Sequence, residues 1–249
     1  MWIAGDTHVG QKRHNNQDAY LAETLDAKQL LLVCDGMGGE QGGEQASGLA
    51  LEAVTAMLRR DLKGITDEQA IRRVLECAGA AANSVVYDAA QADSTLSGMG
   101  TTLVGAVVLA RNAHFIHAGD SRAYLLRNDL LTQLTVDHTV VQMLIDRGEI
   151  TPEDAKNHPQ RHYITRAVGV APQIGYDIFS VDLLPNDTIL LCSDGLYNYM
   201  GHEDLCALTA IAARCQSVAP LIDRANENGG GDNITAVLCC VAGEVGAHG

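Results

Sequence analysis

The sequence predicts a mixed α/β fold in which antiparallel β-sheets are covered by pairs of helices. Three observations carry that expectation. Helical patterns arrive in pairs between groups of strand-like runs and do not alternate with every strand, which suits antiparallel sheets better than a doubly wound parallel one. The 249 residues, 47% apolar and only 19% charged, are enough to bury one large core. No repeat or low-complexity linker divides the chain and only 5 prolines interrupt it, so one domain is expected over 1–243, with a short tail at 244–249.

Taken in order, strand-like apolar runs fall at 2–7, 19–23 and 29–34. Two long helical patterns follow. The first sets Ala46, Leu49, Ala50, Ala53, Val54, Met57 and Leu58 on one face; the second does the same with Ile71, Val74, Leu75, Ala78, Ala82 and Val85. Strands resume at 101–109, 113–118 and 122–127. The stretch from Asp137 to Arg166 is different. Its His138, Gly148, Pro152, His158 and Pro159 surround short helical pieces, as in a partly mobile excursion from the core. Strands at 176–182 and 188–192, helices at 203–214 and 218–228, and a last strand at 234–241 complete the pattern.

Composition excludes several function classes. Aromatic residues are only 4%, too few for a base-stacking surface, and a net charge of −14 without a Lys/Arg run argues against a phosphate backbone as partner. No nucleic-acid partner is expected. The 7 cysteines form no C-x-x-C pair, and Cys34 and Cys192 sit in apolar runs, as reduced buried thiols do. The start reads Met1-Trp2-Ile3-Ala4-Gly5-Asp6, unlike a signal peptide, and no apolar run reaches the roughly 18 residues of a membrane span. A cytoplasmic protein is expected, and a monomer, since no exposed apolar stripe marks an oligomer interface.

The chemistry lies in a recurrence of aspartates at strand ends or in glycine turns. Asp18 opens a strand after Arg13-His14-Asn15-Asn16-Gln17. Asp35 ends an apolar strand and leads into Gly36-Met37-Gly38-Gly39. Asp120 follows Gly119, Asp194 precedes Gly195, and Asp232 stands before the last strand. A single such carboxylate is usually satisfied by turn amides. If the strands converge, five would repel one another unless cations bound between them. All-oxygen ligation of that kind suits hard divalent ions such as Mg2+ or Mn2+. Gly36 lets its own carbonyl approach a metal closely.

In order along the chain, these residues resemble the motifs of the protein phosphatase 2C (PPM) family, in its bacterial form. They are Arg13 to Asp18, Asp35-Gly36-Met37-Gly38-Gly39, Gly98-Met99-Gly100-Thr101-Thr102, Gly119-Asp120-Ser121-Arg122, Ser193-Asp194-Gly195-Leu196 and Gly231-Asp232-Asn233-Ile234-Thr235. The stretch with Asp137-His138-Thr139, Gly148-Glu149-Ile150, His158-Pro159 and Ile164-Thr165-Arg166-Ala167-Val168-Gly169, with the flap at about 137–166, resembles the family's bacterial flap segment. The resemblance implies an α/β (α+β) sandwich of two antiparallel sheets flanked by helix pairs. It implies a metal-dependent phosphatase acting on phosphoserine and phosphothreonine in proteins, with at least two Mn2+ or Mg2+ ions per chain. Asp35 would bridge two metals, with the Gly36 carbonyl and Asp18 on one and Asp194 and Asp232 on the other. Asp120 with Asp194 would serve a third. Arg13 would hold the phosphate, and a metal-bridging water would attack phosphorus in line. The partners implied are phosphorylated Ser/Thr proteins and a cognate bacterial Ser/Thr kinase, which the enzyme would antagonise.

Two departures bear on the transfer. Gln17 stands where many relatives carry glutamate, which alters a water-mediated metal contact. Met37 replaces the histidine proposed as general acid in eukaryotic relatives, which leaves the proton donor open between a metal-bound water and His138, a structural role being the default for a flap histidine. Other phosphatase chemistries fit poorly. Gly5-Asp6-Thr7-His8 resembles the first calcineurin-like motif but lacks its later Gly-Asn-His, and no cysteine has an arginine six positions on. The glycines of 36–43 lack the Lys-Ser/Thr of a nucleotide P-loop. The rival class is a non-catalytic binding relative, whose mark would be missing metal aspartates.

Overall fold

A computed structural model of the chain describes residues 1–243, and for Glu40 its backbone alone; the predicted tail at 244–249 lies outside the described residues. The chain opens with β1 (Trp2–His8), β2 (Asp18–Leu25) and β3 (Lys28–Met37), then two long helices, α1 (Gly39–Asp61) and α2 (Glu68–Ala92). Next come β4 (Gly100–Thr101), β5 (Leu103–Val108), β6 (Asn112–Ala118), β7 (Arg122–Arg127) and β8 (Leu130–Gln133). Short helices α3 (Val140–Asp146) and α4 (Pro152–Lys156) precede β9 (Asp177–Asp182) and β10 (Thr188–Cys192). The chain ends through α5 (Asp194–Tyr197), α6 (His202–Cys215), α7 (Ala219–Glu227) and β11 (Ile234–Cys240).

The strands form two sheets, one ordered β1-β11-β10-β7-β8 and the other β2-β3-β5-β6-β9, with β4 paired to β3. Every ladder between named strands is antiparallel. Alternation along the strands makes the layers. On β3, Leu30, Leu32 and Cys34 face α1 and α2, while Leu31 and Val33 face the other sheet. On β10, Leu190 and Cys192 pack on the α5–α7 side, while Ile189 and Leu191 point between the sheets. The result is helix, sheet, sheet, helix, with Phe115 stacked on Phe179 at 4.9 Å in the middle layer.

The helix pairs follow from small residues at helical spacing. Ala46, Ala50, Val54 and Leu58 on α1 are fully buried, and the alanines let α1 lie close on β3. Asp67 caps α2 by accepting from Ala70 N–H at 2.8 Å. The buried stripe of α2 passes through Val86 to Ala90 and not through Val85, which is 41% exposed; the i+4 steps from Ala82 carry it onto Val86 and then Ala90. The run read as one strand at 101–109 is two, because Thr102 turns its amide and hydroxyl to Asp35. The edge strand β8, beside β7 in the five-stranded sheet, is not among the strand-like runs of the sequence, since only Leu131 of its four residues is buried. Among the described residues no helix is long and apolar enough to cross a membrane.

The 137–166 excursion leaves and rejoins the core at one place. Thr139 pairs with Ile164, Val140 N–H donates to Tyr163 O, and Thr165 N–H donates to His138 O. Its helices are capped by threonines, Thr139 on α3 and Thr151 on α4, the latter in a reciprocal capping box with Asp154. None of the α3 side chains is buried.

Candidate active site

The register of β2 against β3 places Asp18 directly opposite Asp35. Like charges facing each other across an antiparallel pair are destabilising. The other sheet delivers Asp194 just past the end of β10 and Asp232 just before β11. Asp120 lies on the turn from β6 to β7, where the chain passes from one sheet to the other. The structure therefore gathers all five predicted aspartates at one end of the sandwich.

Backbone and hydroxyl groups fix this arrangement. Ser193 and Thr235 hydroxyls both donate to Asp18 Oδ2, at 2.7 and 2.6 Å. Asp18 Oδ1 is buried without a hydrogen-bond partner among the described residues. Thr102 Oγ1 accepts from Asp35 N–H at 2.9 Å, and Thr101 Oγ1 donates to Asp35 O at 2.9 Å. Thr102 also shares a 2.7 Å hydroxyl contact with Ser121, beside Asp120. Asn198 Nδ2 donates to Asp194 Oδ2 at 3.0 Å, and Tyr197 OH donates to Asp120 O at 3.0 Å. None of these supporting residues was singled out from the sequence, although Thr101, Thr102, Ser121, Ser193 and Thr235 lie inside the motifs.

The charge arrangement is strained electrostatically. Burial, and then the charges of Asp194 and Asp232, push the Asp18 carboxyl up to about 7. Burial, with Asp194 and Asp137 next, pushes Asp120 to about 7 as well. Asp194 rises to about 6 through burial and Asp232, and Asp35 rises well above the usual range through burial and the charges of Asp18, Asp194 and Asp120. Converging carboxylates that resist ionising, one with an orphaned buried oxygen, are what a site for hard cations presents before the cations are counted. The residues present thus fit divalent ions. Gly36 belongs to the same cradle: a Cβ there would lie 2.0 Å from Gly43 O, so the backbone approaches where no side chain fits.

Arg13 stands at the rim, half exposed, with Nη2 2.8 Å from Asp232 Oδ2. Its loop is stitched to β11 by Asn233, whose Nδ2 donates to Val9 O and Asn15 O and whose Oδ1 accepts from Gln17 N–H. Gln17 directs its side-chain amide to Gly39 O. His138 turns neither ring nitrogen to the five aspartates: its Nδ1 accepts from Gly119 N–H at 3.0 Å and its Nε2 meets Asp177 Oδ2 at 3.0 Å. Both ring nitrogens are engaged, so it offers no free proton to a leaving group.

Fold and site together define a metal-dependent phosphatase architecture, and comparison with known proteins agrees. The protein phosphatase 2C profile matches residues 4–239. Serine/threonine phosphatase stp of Listeria innocua is 37% identical over 234 residues, covering 93% of this chain and 92% of that protein. PstP of Mycobacterium tuberculosis is 38% identical over 232 residues, 93% of this chain and 43% of that longer protein. The crystal structure of the M. tuberculosis phosphatase PstP/Ppp superposes with a TM-score of 0.87 at 36% identity, over 97% of this chain and 98% of that one. A PstP catalytic domain in complex with 2 manganese ions gives a TM-score of 0.83 at 34% identity, over 97% and 98%. The chain belongs to the protein phosphatase 2C family of serine/threonine protein phosphatases.

Proposed function

We propose that residues 1–243 act as one phosphatase domain that removes phosphate from phosphoserine and phosphothreonine in proteins, in a two-cation site built on Asp35. The observation that carries this reading is the cross-strand pair Asp18 and Asp35 facing Asp194 and Asp232, with Asp18 Oδ1 left without a partner. Asp35 would be the shared ligand, the Gly36 carbonyl and Asp18 would serve one ion, Asp194 and Asp232 the other, and Asp120 with Asp194 a third. Manganese is the favoured ion, because the PstP catalytic domain was solved with it. Bound there, the cations would supply Lewis acidity, bringing a water's pKa toward neutrality and drawing charge from the phosphate.

The chain's own residues do the rest. Arg13 is exposed enough to turn from Asp232 to two phosphate oxygens, and its fork stabilises the charge that grows there during in-line displacement. Ser193 and Thr235 keep Asp18 pointed inward, and Asn233 holds the Arg13 loop at a fixed distance from the aspartates. The cytoplasm, where reduced thiols persist, suits the 7 free cysteines. We further infer a monomer that opposes a cognate Ser/Thr kinase. A panel of phosphoserine, phosphothreonine and phosphotyrosine peptides tests the substrate class: the first two should turn over at least tenfold faster, about 1.4 kcal/mol in barrier, and equal rates would contradict it. Phosphoproteomes of a deletion strain should gain Ser/Thr sites; an unchanged set would contradict the kinase link.

A further inference from the structure

We propose that His138 is a positioning residue for the Asp120 cation site, gripping the turn that carries Asp120 through Nδ1 while Asp177 fixes its tautomer. The proposal rests on the reading of Asp120 as a cation ligand given above.

The turn Gly119–Arg122 is held from both sides by two consecutive residues. His138 exchanges two hydrogen bonds with Gly119: Gly119 N–H donates to the Nδ1 at 3.0 Å, and His138 N–H donates to Gly119 O at 2.8 Å. Asp137, its neighbour, forms a two-pronged ion pair with Arg122, at 2.9 Å to Nε and 2.6 Å to Nη2. Arg122 in turn lies 3.6 Å over the ring of Tyr197, whose hydroxyl donates to Asp120 O. Asp120 itself therefore sits between two clamps that share one dipeptide, at the base of the 137–166 excursion.

Nδ1 can accept from Gly119 only if the ring proton is on Nε2. Asp177 Oδ2, 3.0 Å from Nε2, selects that form, and Arg166 Nη1 holds the other carboxylate oxygen at 2.7 Å. Beneath the ring, His117 stacks at 4.7 Å in a fully buried position. Burial keeps both imidazoles below their usual range, so both are neutral near pH 7. Ligand atoms of His117, His138 and Asp177 lie within 4.8 Å of one another, a spacing that can suit a metal. The bonds argue for the relay instead. A metal on Nε2 would put the proton on Nδ1, against Gly119 N–H, and Arg166 already offsets the carboxylate. Gly119 cannot be replaced to the same end: at φ +115°, a Cβ would fall 2.6 Å from the Thr102 side chain.

The test is Mn2+ binding by titration calorimetry on the full chain, comparing wild type with His138→Ala, His138→Gln, His138→Asn and Asp120→Ala. Asparagine places an oxygen near the position of Nδ1 and keeps the acceptor for Gly119. Glutamine places its nitrogen near Nε2 and loses that acceptor. The weakest Mn2+ phase, the one Asp120→Ala removes, should weaken roughly 10- to 100-fold in the Ala and Gln variants, as for other groups that orient a ligand. His138→Asn should stay closest to wild type, and tighter phases should not move. The Mn2+ concentration for half-maximal hydrolysis should rise in step while kcat recovers at saturating Mn2+. If Ala does not fold, the Gln and Asn variants carry the comparison. Wild-type binding in the Gln variant, or an Asn variant impaired as deeply as Gln, overturns the proposal. A wild-type chain that binds no Mn2+ overturns the cation-site reading along with it.

Discussion

An aspartate set opposite another across a ladder, as Asp18 is to Asp35, costs stability unless something positive comes between them. At this scale the sequence is most informative, because five carboxylates recur beside glycines or at strand ends in one motif order, although any one of them alone could be satisfied by turn amides. What it could not give was the tier beneath. That Ser193 and Thr235 spend their hydroxyls on Asp18 depends on two strands meeting 42 residues apart, and Ser and Thr are too common in turns for the pattern to be read alone. Two predictions belong here. Arg13→Ala should lower kcat/KM by roughly 10²–10³, the usual loss when one charge-stabilising donor is removed, and Arg13→Lys should not restore it, since a lysine has no fork. The second concerns pH. In the metal-free protein Asp18 and Asp120 are pushed to about 7 and Asp194 to about 6, above the unfolded value near 4. The folded chain therefore binds more protons than the unfolded one between about pH 4 and pH 7, and stability should fall as pH rises through that window. Chelator-treated protein should melt higher near pH 5.5 than near pH 8, and added Mn2+ should shrink the difference; a melting point that climbs with pH without metal would contradict it.

Among elements, the long regular ones were legible and the short ones were not. The stripes of α1 and α2 and the apolar runs of β3, β5, β10 and β11 repeat often enough to declare their period. By contrast β8 buries one residue, and α5 is a single turn whose existence depends on Gly195 tucking under β11. A Cβ on Gly195 would lie 1.8 Å from Asn233 O. Gly195→Ala should therefore displace the turn bearing Asp194 from the loop bearing Asp232. We expect a loss of about 1–3 kcal/mol or more, typical of overpacking a tight contact, visible as a lower urea midpoint together with weaker Mn2+ binding. An unchanged midpoint would mean that the two loops can separate freely.

For the whole molecule, layering and function are one arrangement. The middle layer around Phe115, Leu191 and Val237 holds the two sheets face to face, so aspartates contributed by different sheets arrive at a common end. Phe115→Ala should cost about 3–5 kcal/mol, as large-to-small changes in a closed core do, with the thermal midpoint falling accordingly. Neither this layering nor the site's depth could be derived from periodicity alone. They became expectations only through the ordered motifs, whose spacing over most of the chain few other folds would reproduce. The central claim is that these aspartates make a cation site on which phosphate release depends. The most direct measurement is hydrolysis of a phosphothreonine peptide by metal-stripped protein, with Mn2+ or Mg2+ added back, beside Asp194→Ala. Activity should appear only with metal and fall by several orders of magnitude in the variant. Turnover without metal, or a folded wild-type chain inert under every metal, would contradict the account, the latter leaving a protein that binds phosphoproteins without cleaving them.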